Sequence, residues 1–229
     1  MNEPVEAPAW LRSVVRVGDG RGFVIETRDE QRLVVTAAHC LTRGGEPYLP
    51  PAQAAWSPEE CTYAQLLGPL NAEPTVWAEC FFVDPVADLA VLGTPDNRDL
   101  WDEAEAYGEF VEETVPLALG TLLLAPERRA MPDGYPIWGP HFAKSDAWLL
   151  ALSGQWFSCR VTVSERIIEI SNAAEGIRGG MSGSPIIAPD GRAIGIVCIS
   201  SGGSDLDGHR APYLPGNLPG WLVQGSLHA

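Results

Sequence analysis

The chain has 229 residues, of which 45% are hydrophobic and 20% charged, with 24 glycines and 20 prolines. This composition excludes a disordered chain and leaves a loop-rich folded protein, long enough for one or two buried cores. Acidic side chains outnumber basic ones 30 to 15, for a formal net charge of -15, which argues against nucleic acid or an anionic membrane as a partner and is compatible with a basic protein or peptide.

The first eight residues, MNEPVEAP, carry two acids and no apolar run, so they do not read as a secretory leader. No later stretch approaches the roughly 20 apolar residues that cross a bilayer. Short apolar runs bounded by turn residues follow at Val14–Val17, Gly22–Glu26, Leu33–Ala37, Val76–Val83 and Leu89–Leu92. Each predicts a strand. Between Gly44 and Pro58 lie four prolines and no periodicity, which predicts a surface excursion. Residues 99–113 hold seven acids and no base. Alanine and glutamate favour a helix there, Gly108 interrupts it, and the segment reads as a solvated connector.

Strand patterns resume at Val115–Leu119, Thr121–Ala125, Trp148–Leu152, Trp156–Val163 and Ile167–Ile170. Two more, Pro185–Ile187 and Ala193–Ser200, flank an Asp190-Gly191 hairpin turn. Many short strands without long amphipathic helices predict an all-β protein. Two β-rich halves about an acidic segment suggest two barrels, with one large sandwich as the other arrangement. The division expected is 9–98 for the first barrel, 99–114 for the connector and 115–229 for the second barrel.

Three short segments carry chemistry. His39 follows an apolar run in TAAHC, where a strand end fixes its backbone. Asp88 opens an apolar strand in DPVADLAVL; a partly buried carboxylate there needs a donor, and an imidazole N–H supplies one. Ser182 lies in GGMSGSP among Gly179, Gly180 and Gly183. Such a turn can aim consecutive backbone N–H groups at one point, as an oxyanion hole requires. Alone, each admits a structural role: a core histidine, a capping acid, an ordinary Gly-Ser loop. Together they contain a nucleophile, its base and an orienting acid.

TAAHC, DLAVL and GMSGSP resemble the three catalytic motifs of the trypsin-like and chymotrypsin-like serine proteases, in the same chain order. The resemblance runs from about Val14 to Ile199. It implies two six-stranded antiparallel β-barrels with the active site in the cleft between them. It implies His39, Asp88 and Ser182 as catalytic triad, with the backbone N–H groups of Gly180 and Ser182 as oxyanion hole. It implies a serine endopeptidase acting through an acyl-enzyme without cofactor or metal. The alternative is a catalytically inactive protease-fold module used for binding or scaffolding. Met181 stands where many relatives have Asp or Asn, and no segment like an activation terminus precedes the first strand. The chain is therefore more similar to the bacterial non-zymogen and stress-protease members.

In that family the primary specificity pocket falls at positions near Gly176, Cys198, Ile199 and Ser200. None is charged, which favours a small or apolar P1 residue; a basic P1 assisted by Glu175 or Asp205 stays open. The cysteine of TAAHC often pairs upstream in relatives, yet no cysteine precedes Cys40. Five cysteines without CxxC or CxxH spacing predict reduced, buried thiols, a cytoplasmic location and no zinc site. The expected partners are a protein or peptide substrate, a basic one being compatible with the net charge, and a regulatory protein, with no nucleic acid and no membrane.

Overall fold

Runs rich in Val, Ile and Leu in the first half pair as neighbours because each buries apolar side chains and ends at a turn. The structure, a computed structural model, describes residues 9–50, 58–96, 98–122, 125–130, 136–198 and 208–222. Strands β1 (Val14–Val17), β2 (Gly20–Glu26) and β3 (Arg32–Thr36) form a meander. A small ladder of β4 (Thr42–Arg43) and β5 (Glu46–Pro47) lies in the Pro-rich excursion. A helical turn α1 (Pro58–Cys61) leads to β6 (Thr62–Pro69), β7 (Val76–Asp84) and β8 (Leu89–Gly93). Six of these close into an antiparallel barrel in the order β1-β2-β3-β8-β7-β6. Closure removes both sheet edges.

The acidic segment is a continuous helix, α2 (Trp101–Glu112), and Gly108 does not interrupt it. Exposed glycine costs a helix only about 1 kcal/mol relative to alanine. The burial of Tyr107 and Val111 outweighs that. The Tyr107 hydroxyl lies within hydrogen-bonding distance of the carbonyls of Arg32 and Leu92, at 3.1 and 3.3 Å. Arg32 in turn donates to the carbonyls of Val111 and Glu112 at the helix C-terminus. The helix is thus docked on the first barrel rather than solvated all round.

The second half contributes β9 (Ala125–Ala130), β10 (Pro136–Leu150), β11 (Trp156–Ser164), β12 (Ile167–Ser171), β13 (Pro185–Ile187), β14 (Ala193–Ile196) and β15 (His209–Pro212). The main path runs β14-β13-β10-β11-β12-β15, with β9 paired to β10. An antiparallel bridge between Gly195 and Tyr213 nearly closes this path into a second barrel. A final turn, α3 (Leu214–Asn217), follows. Val115–Leu119 is not a strand: it is extended chain touching the second sheet through one bridge, Leu119 to Ala193. Pro116 lacks the N–H a ladder needs. Of the predicted Thr121–Ala125 run, Thr121 and Leu122 lie outside the strands and Ala125 opens β9; residues 123 and 124 are outside the described residues.

Two apolar cores fill the molecule. One fills the first barrel and continues into Leu150, Ile187, Ile196 and Leu214 of the second half. The other, with Val161, Val163, Ile168, Ile170, Met181 and Ile194, lies inside the second sheet. Trp10, ahead of β1, packs tilted against Trp148 and edge-to-face against Trp156, with ring centroids 6.3 and 5.6 Å apart. No helix among the described residues is long and apolar enough to cross a membrane.

Candidate active site

β3 ends at Thr36 and the chain turns through a short 3-10 segment, Ala38–Cys40. Ala37, Ala38, Cys40 and Leu41 are buried, and His39 between them is exposed. The small and apolar neighbours anchor the turn, so its one polar side chain points out.

Asp88 is delivered by the DPVAD turn. Asp84 accepts the N–H groups of Val86 and Ala87 at 2.9 and 3.0 Å, which coils the chain just before Asp88. Asp88 itself has φ of +55°, in the left-handed region that aspartate tolerates better than most residues. Its carboxylate meets His39 twice. One oxygen accepts the His39 backbone N–H at 3.0 Å, and the other lies 2.7 Å from Nδ1. The Asp88 side chain bonding Nδ1 raises the His39 pKa from 6.5 to about 10. Burial pushes the Asp88 carboxyl up, but the His39 side-chain and backbone bonds outweigh it and hold the carboxyl below its ordinary value.

Ser182 lies between two glycine positions that need special backbone. Gly180 has φ of +84° and Gly183 of +81°. Met181 N–H donates to the Arg178 carbonyl and Ser184 N–H to that of Met181. Gly183 is packed so closely that an added Cβ would stand 1.8 Å from the Arg21 carbonyl oxygen. Only glycine fits there. Met181, at the position where many relatives have Asp or Asn, is 1% exposed and sits in the core of the second sheet. Apolar packing anchors this loop in place of an ion pair.

His39 and Asp88 are therefore joined directly. The Ser182 carbonyl accepts the Arg21 N–H at 2.7 Å and lies 3.8 Å from the sulfur of Cys40, the residue after His39. Among the described residues, no hydrogen bond links the Ser182 hydroxyl to His39. The backbone N–H groups of Gly180 and Ser182 donate to no other backbone group among those residues.

Of the pocket positions, Gly176 is half-buried in the approach to the Ser182 loop. Cys198 lines a cavity of about 430 Å³ together with Asp88, Val86 and Ile167, on the side of Asp88. Ile199 and Ser200, and with them Asp205, lie outside the described residues. All five cysteines are free and buried, and Cys40 packs as a small apolar group against Gly20, where an added Cβ would collide with its sulfur. No cluster of three or more metal-ligating side chains occurs among the described residues.

Three contacts had no signal in the sequence. The Cys198 thiol donates to the main-chain carbonyl of Asp88 at 3.5 Å. The buried His209 donates from Nε2 to the Cys198 carbonyl, tying β15 to the chain after β14. Arg21 is buried at the junction of the two halves. Its only sequence mark is its place between Gly20 and Gly22.

A closed antiparallel barrel carrying His39 and Asp88, and a second, nearly closed one carrying Ser182, define the two-barrel protease class. The sequence matches the trypsin-like peptidase domain over residues 20–196, and the chain belongs to that family. Among solved structures it is similar to the Rv3671c protease of M. tuberculosis in its inactive form, at 19% identity and a TM-score of 0.46, covering 96% of this chain and 89% of that one. It is also similar to the MamO protease domain from Magnetospirillum magneticum in its apo form, at 11% identity and a TM-score of 0.47, covering 90% and 94% of the two chains. A search of curated proteins finds no match.

Proposed function

We propose that this chain is a serine endopeptidase in which His39, Asp88 and Ser182 act as nucleophile system and the Gly180 and Ser182 N–H groups as oxyanion hole. The two-point contact between Asp88 and His39 carries this reading. It fixes the ring with Nδ1 towards the acid, leaving Nε2 as the nitrogen that faces a substrate. In the reaction, neutral His39 takes the Ser182 proton as the oxygen attacks the peptide carbonyl. The oxyanion is received by the two N–H groups, which have no competing backbone acceptor among the described residues. His39 then gives its proton to the leaving amine, and water releases the acyl group by the same steps in reverse.

Part of the proposal is that residues 9–98 and 115–229 form the two functional halves, with 99–114 between them, and that the enzyme works in the cytoplasm, where thiols stay reduced. The substrate is a protein or peptide, and a basic one complements the charge of -15. A regulatory protein partner belongs to the same proposal. Gly176, Cys198, Ile199 and Ser200 are proposed to line the P1 pocket.

A second reading, a catalytically inactive binding or scaffolding module on the same fold, is favoured by one observation. In the arrangement described, Ser182 is not hydrogen-bonded to His39, whose pKa the Asp88 contact raises. A resting site of that kind does not by itself activate a serine. The peptidase reading therefore requires that substrate or a partner draws Ser182 and His39 together. A fluorophosphonate probe separates the two. Labelling confined to Ser182 in the folded protein, abolished in Ser182→Ala, supports the peptidase. A folded sample that takes no label and cleaves no member of a peptide library leaves the binding module.

A further inference from the structure

Arg21 is 5% exposed, an unusual place for a guanidinium. Burial lowers its pKa, and no carboxylate pairs with it among the described residues. Its charge is met instead by neutral oxygens from the second half of the chain. One terminal nitrogen donates to the Leu150 carbonyl at 2.9 Å and reaches the Ser184 hydroxyl at 3.4 Å; the other donates to the Ala151 carbonyl at 3.1 Å. The flat fork of five donors suits diverging acceptors in a way an ammonium does not.

The Arg21 main chain works on the same loop. Its N–H holds the Ser182 carbonyl at 2.7 Å, and its own carbonyl, fixed by the Thr36 hydroxyl at 2.6 Å, forms the surface against which Gly183 packs. Leu152, one residue beyond the tethered Ala151, has its Cδ2 3.3 Å from where a Gly180 Cβ would stand. One residue of β2 therefore touches both segments that shape the surroundings of Ser182 and Gly180.

We propose that Arg21 is a positioning residue: its guanidinium locks the Leu150–Ala151 chain end and Ser184 onto the first barrel and so sets where Ser182 and Gly180 stand relative to His39. The inference rests on the peptidase reading for its kinetic consequence, but not for its structural one. A guanidinium held only by carbonyl and hydroxyl oxygens gains no salt-bridge energy to offset its desolvation. Its contribution is therefore geometric, and removing it loosens the loop and takes one donor from each of the Leu150 and Ala151 carbonyls and the Ser184 hydroxyl.

The test compares Arg21→Ala and Arg21→Lys with Leu67→Ala, a fully buried β6 position two strands away from β2. Each is scored for thermal stability, fluorophosphonate labelling rate, KM on a cleaved peptide, and amide hydrogen exchange of segments 150–154 and 178–184. The expected result is at least a 50-fold slower labelling in Arg21→Ala with KM changed less than threefold, partial recovery in Arg21→Lys, and faster exchange in both segments. Leu67→Ala, though destabilised, labels and exchanges there like the parent. Labelling in Arg21→Ala as fast as in Leu67→Ala overturns the proposal. If the parent itself takes no label, the peptidase reading fails and exchange decides alone: selective loosening of the two segments sustains the positioning role, and equal protection in all three variants overturns it. If Arg21→Ala does not fold, Arg21→Lys is judged by the same two comparisons.

Discussion

Asp88 holds His39 at both its backbone N–H and its ring Nδ1, at 3.0 and 2.7 Å, so the acid fixes where the histidine chain runs as well as how its ring is turned. Both bonds are charge-assisted when Asp88 is ionised, and the ring bond doubly so when His39 is protonated.

The pair should make stability depend on pH in a defined window. The folded His39 pKa is raised from 6.5 to about 10, so its contribution is full below 6.5 and is lost as pH climbs through about 10. The Asp88 pKa is lowered from 3.8, so its contribution is full above 3.8 and is lost as pH falls through the lower folded value. Both are present between about 4 and 6.5. Asp88→Asn should therefore lower Tm most in that window and least above pH 10. A Tm difference that is uniform across a pH series would show that the two groups are not linked. In kcat/KM, the limb on which His39 deprotonates should lie above 6.5 and move down in Asp88→Asn.

Met181 should resist conversion to the Asp that many relatives carry at its position. It is 1% exposed within the second core, where a carboxylate has no cationic partner shown. Met181→Asp should cost about 3 kcal/mol or more, the penalty of an unpaired buried polar group. Met181→Leu, which keeps volume and apolarity, should cost less than about 1.5 kcal/mol. Urea denaturation of both variants measures the contrast, and similar losses would mean that packing does not anchor the loop.

Most of the first barrel was legible because β1, β2, β3, β7 and β8 are compact Val-, Ile- and aromatic-rich runs between turn residues. β6 was not. Gln65 takes φ of +50° and the register slips between Tyr63 and Leu67, so the alternation that marks a strand is broken in the sequence as in the sheet. β10 was read only at its last residues, since Pro136, Gly139, Pro140 and Lys144 interrupt its apolar pattern. Gly108 misled in the other direction: local propensity argued for a break, and the burial of Tyr107 and Val111 overrode it. His39, Asp88 and Ser182 stood out through their motifs. Arg21 did not, because arginine is ordinarily a surface residue and its burial depends on carbonyls 129 and 130 residues away in sequence.

The docked helix gives a direct check on how the acidic segment behaves. Tyr107→Ala removes a fully buried ring and a hydroxyl placed to donate to the Arg32 and Leu92 carbonyls. It should cost about 4 kcal/mol, as large aromatic truncations do. Tyr107→Phe removes only the hydrogen bond and should cost about 1 kcal/mol. Substituting the exposed Trp101 should change stability by less than about 0.5 kcal/mol. Equal effects at positions 107 and 101 would return the segment to a solvated connector.

Gly183 should be the most sensitive glycine of the nucleophile loop. Its φ of +81° is closed to most side chains, and an alanine Cβ would stand 1.8 Å from the Arg21 carbonyl oxygen and 2.7 Å from the Thr36 hydroxyl. Neither obstacle is the free end of a flexible side chain: one is strand backbone and the other is held by its own 2.6 Å bond to Arg21. The loop must therefore move away from β2, which breaks the Arg21 to Ser182 main-chain bond. Gly183→Ala should cost about 3 kcal/mol and slow fluorophosphonate labelling of Ser182 more than it lowers Tm would explain. Gly44→Ala is the matched control, with φ of +62° and nothing within 4 Å of the added carbon. Its cost should be about 1 kcal/mol from backbone strain alone, with labelling unchanged. A Gly183→Ala protein as stable as Gly44→Ala, and labelled at the parent rate, would mean that the contact between the two barrels at Arg21 does not constrain Ser182.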